Sequence, residues 1–179
     1  MSAVNPKFQD FLVETSSNSL KSFTNLQFET TILGVDDLPF YQYLATMVIG
    51  SSENKVLLTV HFWSDDASVL TKDPRKILDK SVKLDIFKEY LNIYSSKIKN
   101  QLNLQGLDLG ISLPFIAPGY QSYFILDTNA YTQQFCWELK RNKTRIGFGC
   151  GLAFKETDVL NRIAESETGS EEFHDLEML

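Results

Sequence analysis

One stretch of sequence, Lys83–Leu104, constrains the fold of this chain more than any other part. Its large apolar side chains recur every three or four residues and share one stripe: Leu84, Phe87, Leu91, Tyr94, Ile98 and Leu102. At about 100° per residue, this spacing predicts a single amphipathic helix whose apolar face is turned to a core. Ser81 before the stretch and Gly106 after it are typical of residues that begin and end helices.

The opposite face of this predicted helix carries polar side chains that could take part in chemistry. Glu89 and Asn92 are three residues apart, so they are neighbours on the helix surface, and Asp85 and Ser96 lie beside them. We expect the side chains of Glu89 and Asn92 to lie in water. On the predicted first helix Glu14 and Asn18 are four residues apart, and we interpret them as solvated surface.

Length and charge favour one domain followed by an acidic tail. The chain has 179 residues, of which 43% are apolar and 22% charged, enough for one sizeable core. The formal charge of −6 divides into −7 for residues 156–179 and +1 for residues 1–155. We predict a domain over 1–155 and an acidic C-terminal helix or tail over 156–179, either disordered or a docking motif. The nearly neutral body argues against a nucleic-acid partner.

The sequence offers few residues for metal, redox or membrane functions. No apolar run reaches the roughly 18 residues that span a bilayer, and the N-terminus lacks a signal sequence, so we expect a cytoplasmic protein without a membrane partner. Cys136 and Cys150 lie in alternating apolar runs, which predicts buried, reduced thiols. Because His61 and His174 are the only histidines, a metal site or a histidine-based triad lacks candidates. His61 is predicted to be an ordinary strand residue.

The rest of the chain reads as strands and short helices around the long helix. A first helix is predicted from Asn5–Pro6 to Phe23, and a short helix over Asp66–Leu70, before a break at Asp73–Pro74. A C-terminal helix is predicted over Asp158–Ala164. Strand-like composition marks Gln27–Leu33, Tyr43–Ile49, Lys55–Trp63, Tyr120–Leu126, Thr132–Arg141 and Arg145–Phe154. Together they predict an α/β (α+β) protein of two layers, with the longer helices packed on a largely antiparallel sheet.

The last predicted strand has one bulky face and one nearly bare face. Gly147, Gly149, Gly151 and Ala153 alternate with large apolar residues. This pattern lacks the spacing and the lysine of a phosphate-binding loop. We therefore expect another part of the chain to approach the bare face closely.

The order of these elements resembles that of the CheC/CheX/FliY chemotaxis phosphatases, and most of all the CheX type with a single motif. Glu89–Ile98 resembles the family's helix pattern Glu-x-x-Asn-Met-x-x-Gly-x-Leu. Asp108–Ile116 (DLGISLPFI), followed by Gly119, resembles the segment after that helix, and Leu44–Phe62 resembles the family's hairpin. The resemblance covers about residues 5–154. It differs at Leu91, Ile93 and Ser96, where the family usually has Gly or Ala, Met and Gly.

The resemblance implies a phosphatase that acts on the aspartyl phosphate of a CheY-type response regulator. Asn92 would orient a water in line with the phosphorus, and Glu89 would pair with the regulator's lysine. The protein would need no cofactor of its own, because the regulator carries the Mg²⁺. The family also implies a homodimer.

Two other functions remain open from the sequence. The chain could be a catalytically inactive CheX-like dimeric binding module that recruits a partner through its acidic tail. Coverage of Glu89 and Asn92 by Tyr90 or other bulky residues would favour that alternative. A small-ligand pocket is the third alternative, lined by the aromatic residues Tyr41, Tyr43, Trp63 and Trp137.

Overall fold

The computed structural model describes residues 6–71, 78–121 and 130–155. Its two long helices are α1 (Pro6–Thr24) and α2 (Lys80–Leu104). Its strands are β1 (Glu29–Leu33), β2 (Tyr43–Gly50), β3 (Lys55–Phe62), β4 (Gly110–Ile111), β5 (Phe115–Pro118), β6 (Gln133–Arg141) and β7 (Thr144–Ala153). The predicted break at Asp73–Pro74, the acidic tail with its predicted helix, and most of the predicted strand Tyr120–Leu126 lie outside the described residues.

All described strands pair antiparallel in one sheet. The order is β1–β6–β7–β3–β2, and both β4 and β5 pair with the outer edge of β2. The two hairpins supply the central strands, since β2 pairs with β3 and β6 with β7 through short connections. At the β6–β7 turn Asn142 has a φ of 54°, a conformation that asparagine tolerates better than most residues. The predicted two-layer fold is confirmed.

The two helices cover one face of this sheet and enclose the main core. Strand β3 gives that core every second residue, and the same alternation holds in its neighbours. The core includes Phe8, Leu12, Leu20, Val56, Leu58, Val60, Phe62, Phe87, Leu91, Tyr94, Ile98, Phe135, Trp137, Ile146 and Phe148. The helices run antiparallel, because the Tyr90 hydroxyl donates to Ser16 O and the Tyr94 hydroxyl donates to Leu12 O, at O–O distances of 2.9 and 3.4 Å.

The bare face of β7 is also buried, on the side of the sheet away from the helices. A Cβ atom built on Gly147 would come 2.8 Å from a ring carbon of Tyr41, and one on Gly151 would come 2.8 Å from Tyr131 Cγ. Strand β7 has glycines at these positions because the aromatic rings packed on it leave no room for a side chain. The predicted close approach is confirmed.

One predicted helix start and two predicted elements were wrong for physical reasons, and most strand ends differ from their predicted bounds by one or two residues. Helix α2 begins at Lys80 rather than Lys83, because its exposed first turn lies outside the apolar stripe that revealed the helix. The short helix is a 3₁₀ turn over Ser64–Ser68, in which Asp66 N–H donates to Trp63 O and the Asp66 carboxylate accepts from Trp63 N–H. Tyr120 lies in another 3₁₀ turn, Gly119–Gln121, rather than in a strand. Short-range hydrogen bonds of this kind leave no periodic signal.

Candidate functional site

Helix α2 presents Glu89 and Asn92 on the side away from the core. Glu89 is exposed, as expected, and Ser96 one turn beyond Asn92 is also exposed. Asn92 is half-buried, so it is more enclosed than the sequence predicted. Among the described residues, neither the Glu89 nor the Asn92 side chain has a hydrogen-bond partner, which leaves both polar groups available to a ligand or partner.

The bulky residues between and beside this pair point into the protein. Tyr90 and Leu91 are both 0% exposed and belong to the core. Desolvation by burial raises the pKa of Tyr90 well above its ordinary value, and its hydroxyl donates to the backbone of α1. Neither side chain therefore covers Glu89 or Asn92. Leu91 adds its bulk to the core and not to the outer surface.

The inner face of α2 holds the helix rigidly beneath this pair. The rings of Phe62 and Phe87 stack with centroids 3.6 Å apart, and Phe87 lies two residues before Glu89. The Ser95 hydroxyl donates to Leu91 O at 2.6 Å. Side chains on a helix packed this closely keep their positions better than side chains on a loop.

A groove between α1 and α2 was missed by the sequence analysis. Its volume is about 350 Å³. We call it the helix groove, and its lining residues are Phe11, Thr15, Asn18, Lys97, Asn100, Gln101 and Leu104. No single-segment pattern reveals it, because each helix contributes one wall from a distant part of the sequence.

Glu138 is the most unusual titratable group elsewhere in the described chain. Its side chain is fully buried, and it accepts hydrogen bonds from Arg145, Lys140 and Tyr41. Burial opposes its ionisation, but these hydrogen bonds outweigh burial and hold the pKa of Glu138 below its ordinary value. Because every partner is already supplied by the protein, this cluster is a closed structural ion pair rather than a reactive site.

His61 and the two cysteines, which are the remaining candidates for chemistry, are buried inside the protein. His61 is 2% exposed, and burial lowers its pKa to about 3, so the ring is neutral and is held 2.9 Å from Thr59 Oγ1. Cys136 and Cys150 are buried free thiols, as predicted, and burial raises both pKa values. Within residues 6–71, 78–121 and 130–155, no three His, Cys, Asp or Glu side chains are grouped to hold a metal ion.

The aromatic residues considered for a small-ligand pocket do not come together. Trp137 lies in the core beneath the helices, whereas Tyr41 lies on the opposite face of the sheet. Trp63 is 45% exposed and contacts Phe40 instead. That alternative is wrong, because the sheet itself separates the rings. Neither described helix has an apolar stretch long enough to cross a bilayer.

Comparison with known proteins gives matches of structure but not of sequence. No protein-family model matches the chain, and no curated protein matches it significantly. Among solved structures, a CheC-like superfamily protein from Shewanella sp. PV-4 superposes with a TM-score of 0.64 at 13% identity, over 83% of this chain and 99% of that one. The chain has the CheC/CheX fold.

Two further structures with the CheC/CheX fold match over similar lengths. The chemotaxis protein CheX from Vibrio vulnificus gives a TM-score of 0.61 at 12% identity, over 81% of this chain and 98% of that one. A chain of the CheX–CheY–BeF₃–Mg²⁺ complex from Borrelia burgdorferi gives 0.61 at 11% identity, over 82% and 97%. The predicted resemblance is therefore confirmed at the level of the fold, which is what identities this low establish.

Proposed function

We propose that this protein accelerates hydrolysis of the aspartyl phosphate of a CheY-type response regulator in chemotaxis signalling, in the cytoplasm. The observation that carries the proposal is the pair of an exposed Glu89 and a half-buried Asn92 on the outer face of α2, whose side chains have no hydrogen-bond partner among the described residues. The solved CheX–CheY–BeF₃–Mg²⁺ complex from Borrelia burgdorferi contains a chain of this fold, which supports such a partner.

Asn92 would act on the attacking water. Its carboxamide both donates and accepts hydrogen bonds and does not titrate, so it can orient a water in line with the phosphorus at any physiological pH. Phosphoryl transfer depends mainly on position and electrostatics, and a fixed helix supplies position. In this mechanism the amide enters the regulator's site, and the described residues leave it unpaired for that contact.

Glu89 would fix the approach of the two proteins by pairing with the regulator's lysine. A carboxylate aimed at the phosphate oxygens would repel them, whereas one aimed at an ammonium group attracts it. The Mg²⁺ in this mechanism belongs to the regulator, and the phosphatase contributes no cofactor of its own. The exposed hydroxyl of Ser96 and the half-buried Ile93 would border the contact.

The second candidate is a dimeric binding module without catalysis, and the outer edge of the described sheet favours it. The segment that carries β4 and β5 exposes Ile111, Leu113 and Phe115 by 39%, 88% and 59%. Exposed apolar side chains along an edge are typical of strand pairing with another chain. A homodimer can be a phosphatase or a binding module, so dimerisation fits either candidate.

Phosphate release from a phosphorylated CheY separates the two candidates. We expect the wild-type protein to speed phosphate loss and Asn92→Ala to abolish that acceleration. Asn100→Ala is the matched control, because Asn100 is exposed on the same helix about 12 Å further along its axis. If phosphate is lost at the spontaneous rate in the presence of the wild-type protein and of each variant, the binding module is favoured. Equal acceleration by wild type and Asn92→Ala would remove Asn92 from the mechanism.

A further inference from the structure

The helix groove lies over the half of the sheet in which strand β7 ends. Helix α2 packs over β2 and β3 and α1 packs over β6, so the seam between the helices follows β7, the strand that lies between β6 and β3. The ring of Phe8 in α1 contacts Phe135 near the start of β6, and the start of β6 pairs with the end of β7. The groove is lined by α1 from Phe11 to Asn18 and by the last turns of α2, so it lies near the point where the chain leaves β7.

The acidic tail, residues 156–179, leaves the sheet at this same end. After β7, Lys155 N–H donates to Asn54 Oδ1 in the β2–β3 turn, over an N–O distance of 3.2 Å. Helix α2 also ends beside this turn, because Gly110, shortly after the helix, pairs with Gly50. Three strand spacings of about 4.8 Å and one layer of about 10 Å put the end of α2 within roughly 20 Å of Lys155. The 24 residues that follow Lys155 span roughly 27 Å as a flexible chain, so the tail can reach the groove.

The α2 wall of the groove is rich in hydrogen-bond donors and carries no carboxylate. Lys97 is the only charged residue among the described residues that line the groove, and no described carboxylate forms an ion pair with it. Asn100 and Gln101 add two amide groups, which can donate hydrogen bonds to an anion. On the α1 wall Asn18 already donates to Glu14, at an N–O distance of 3.5 Å. An acidic ligand therefore fits best along α2.

Leu104 adds a large apolar side chain to the α2 wall. It is 76% exposed, whereas Phe11 in the floor of the groove is 3% exposed. The acidic tail has a matching composition: its net charge is −7, and Phe173, Leu176 and Leu179 recur every three residues between its carboxylates. This spacing would place three apolar side chains on one side of a helix, as in peptides that bind grooves. The tail therefore offers both an anion for the donors and an apolar surface for Leu104.

A second groove near Lys155 is less suited to the tail. It lies at the outer edge of β2 and is lined in part by Lys55 and Ile111. The Lys55 ammonium already lies 5.9 Å from the centre of the Tyr131 ring, which attracts it by a cation–π interaction. Ile111 is 39% exposed, about half as much as Leu104. The helix groove therefore gains more from an acidic and partly apolar ligand.

We propose that the acidic tail of this chain docks in its own helix groove, with carboxylates on Lys97 and the adjoining amides and apolar side chains on Leu104. The groove lies on the α1 flank of α2, about 140° around the helix from Asn92 at about 100° per residue. The docked tail therefore leaves the surface of Glu89 and Asn92 open, and the inference does not depend on the proposed function. A partner that binds the tail has to displace it from the groove.

Chymotrypsin cleavage after Phe173 in the full chain measures this docking. Mass spectrometry follows the release of the peptide that begins at His174, and a free peptide of residues 156–179 gives the cleavage rate of an undocked tail. Tethering supplies an effective concentration of roughly 1 mM, so a tail that binds with a Kd of about 0.1 mM is protected about tenfold. We expect this protection in the wild-type protein, and less protection as the ionic strength rises.

Two variants test the groove, and each has a matched control. Lys97→Glu and Leu104→Gln should bring cleavage close to the rate of the free peptide. Lys143→Glu makes the same charge change in the β6–β7 turn, at the opposite end of the sheet from Lys155. Ile111→Gln makes the corresponding change from an apolar to an amide side chain in the second groove. Both controls should keep the wild-type protection, and urea denaturation of each variant shows whether it stays folded.

Several outcomes would overturn the inference. One is cleavage of the wild-type protein at the rate of the free peptide. Another is equal loss of protection in Lys97→Glu and Lys143→Glu, which would reflect net charge alone. Loss in Ile111→Gln but not in Leu104→Gln would place the tail in the second groove. Protection that grows with protein concentration would mean that the tail occupies the groove of a second copy. Protection that is independent of concentration and is lost only in the two helix-groove variants would support the inference.

Discussion

The indole N–H of Trp137 donates a hydrogen bond to the Ser16 hydroxyl over an Nε1–Oγ distance of 2.9 Å. The same hydroxyl donates to Val13 O at 2.7 Å, and Ser16 O accepts from the Tyr90 hydroxyl at 2.9 Å. Ser16 thus joins α1, β6 and α2 at one buried point. A serine that weakens α1 by helix propensity serves as the polar junction of the helical layer with the sheet.

Ser16→Ala should destabilise the fold markedly. The substitution leaves the buried indole N–H of Trp137 without its acceptor, which costs about 1–3 kcal/mol of the free energy of unfolding. Urea denaturation followed by tryptophan fluorescence measures the loss. Ser22→Ala is the matched control, because the exposed Ser22 hydroxyl bonds only to Asn18 O in its own helix. An equal loss in the two variants would contradict the role of the junction.

Gly147→Ala should disturb the other face of the sheet. The new methyl group would lie 2.8 Å from a Tyr41 ring carbon and would push the ring away from its hydrogen bond to Glu138. We expect a loss of about 1–3 kcal/mol in the free energy of unfolding, as for other overpacked sites. For Gly110→Ala, where the nearest atom is 3.6 Å away, the change should stay within about 0.5 kcal/mol. Similar changes in unfolding free energy for the two variants would mean that the Tyr41 ring can move aside with little loss of stability.

His61 should make folding sensitive to mild acid. Burial lowers its pKa to about 3 in the folded protein, whereas the unfolded value is about 6.5. Between these pH values the unfolded chain binds the extra proton, so stability falls as the pH is lowered from about 6.5 towards 3, by up to about 1.4 kcal/mol per pH unit. We expect His61→Gln to remove this contribution.

The difference in unfolding free energy between wild type and His61→Gln isolates the histidine. Asp66, whose pKa burial raises to about 6, titrates in the same range with the opposite sign, but it is present in both proteins and cancels. The difference, measured by urea denaturation from pH 7 to pH 4, should decrease as the pH is lowered. If the unfolding free energies of the two proteins changed in parallel with pH, His61 would become protonated while the protein stays folded.

The sequence could predict features that a single periodic segment encodes. The stripe of α2 predicted the buried face, which includes Phe87 and Leu91, and therefore also the outward direction of Glu89. Alternation in β7 predicted a close approach to Gly147 without predicting that Tyr41 makes it.

Features made by separate segments could not be predicted in this way. The helix groove needs Phe11 and Lys97 side by side, and the enclosure of Asn92 depends on neighbours that its own helix does not specify. The burial of Glu138 was equally hidden, since Arg145 becomes its partner only when β6 and β7 pair. Periodicity fixes the direction of a side chain, whereas its surroundings depend on tertiary packing.

Glu89 and Asn92 should fail in different ways when substituted. Glu89→Gln removes the charge proposed to pair with the regulator's lysine, so it should weaken binding of the phosphorylated regulator by roughly 10- to 30-fold and reduce the salt dependence of binding. Asn92→Ala should leave binding of the phosphorylated regulator near wild type and abolish the acceleration at every regulator concentration, since the amide acts on the attacking water. Both variants should keep their unfolding free energy within about 0.5 kcal/mol, as most surface substitutions do.

Phosphate release measured over a range of regulator concentrations and at two ionic strengths separates these effects. Glu29→Gln on β1 is the matched control for Glu89→Gln, because Glu29 is an exposed carboxylate on the far edge strand of the sheet. It should behave as wild type in both assays. If Glu89→Gln instead lowers only the saturating rate and leaves the affinity intact, the carboxylate acts in the chemical step, and its assignment to the regulator's lysine is wrong.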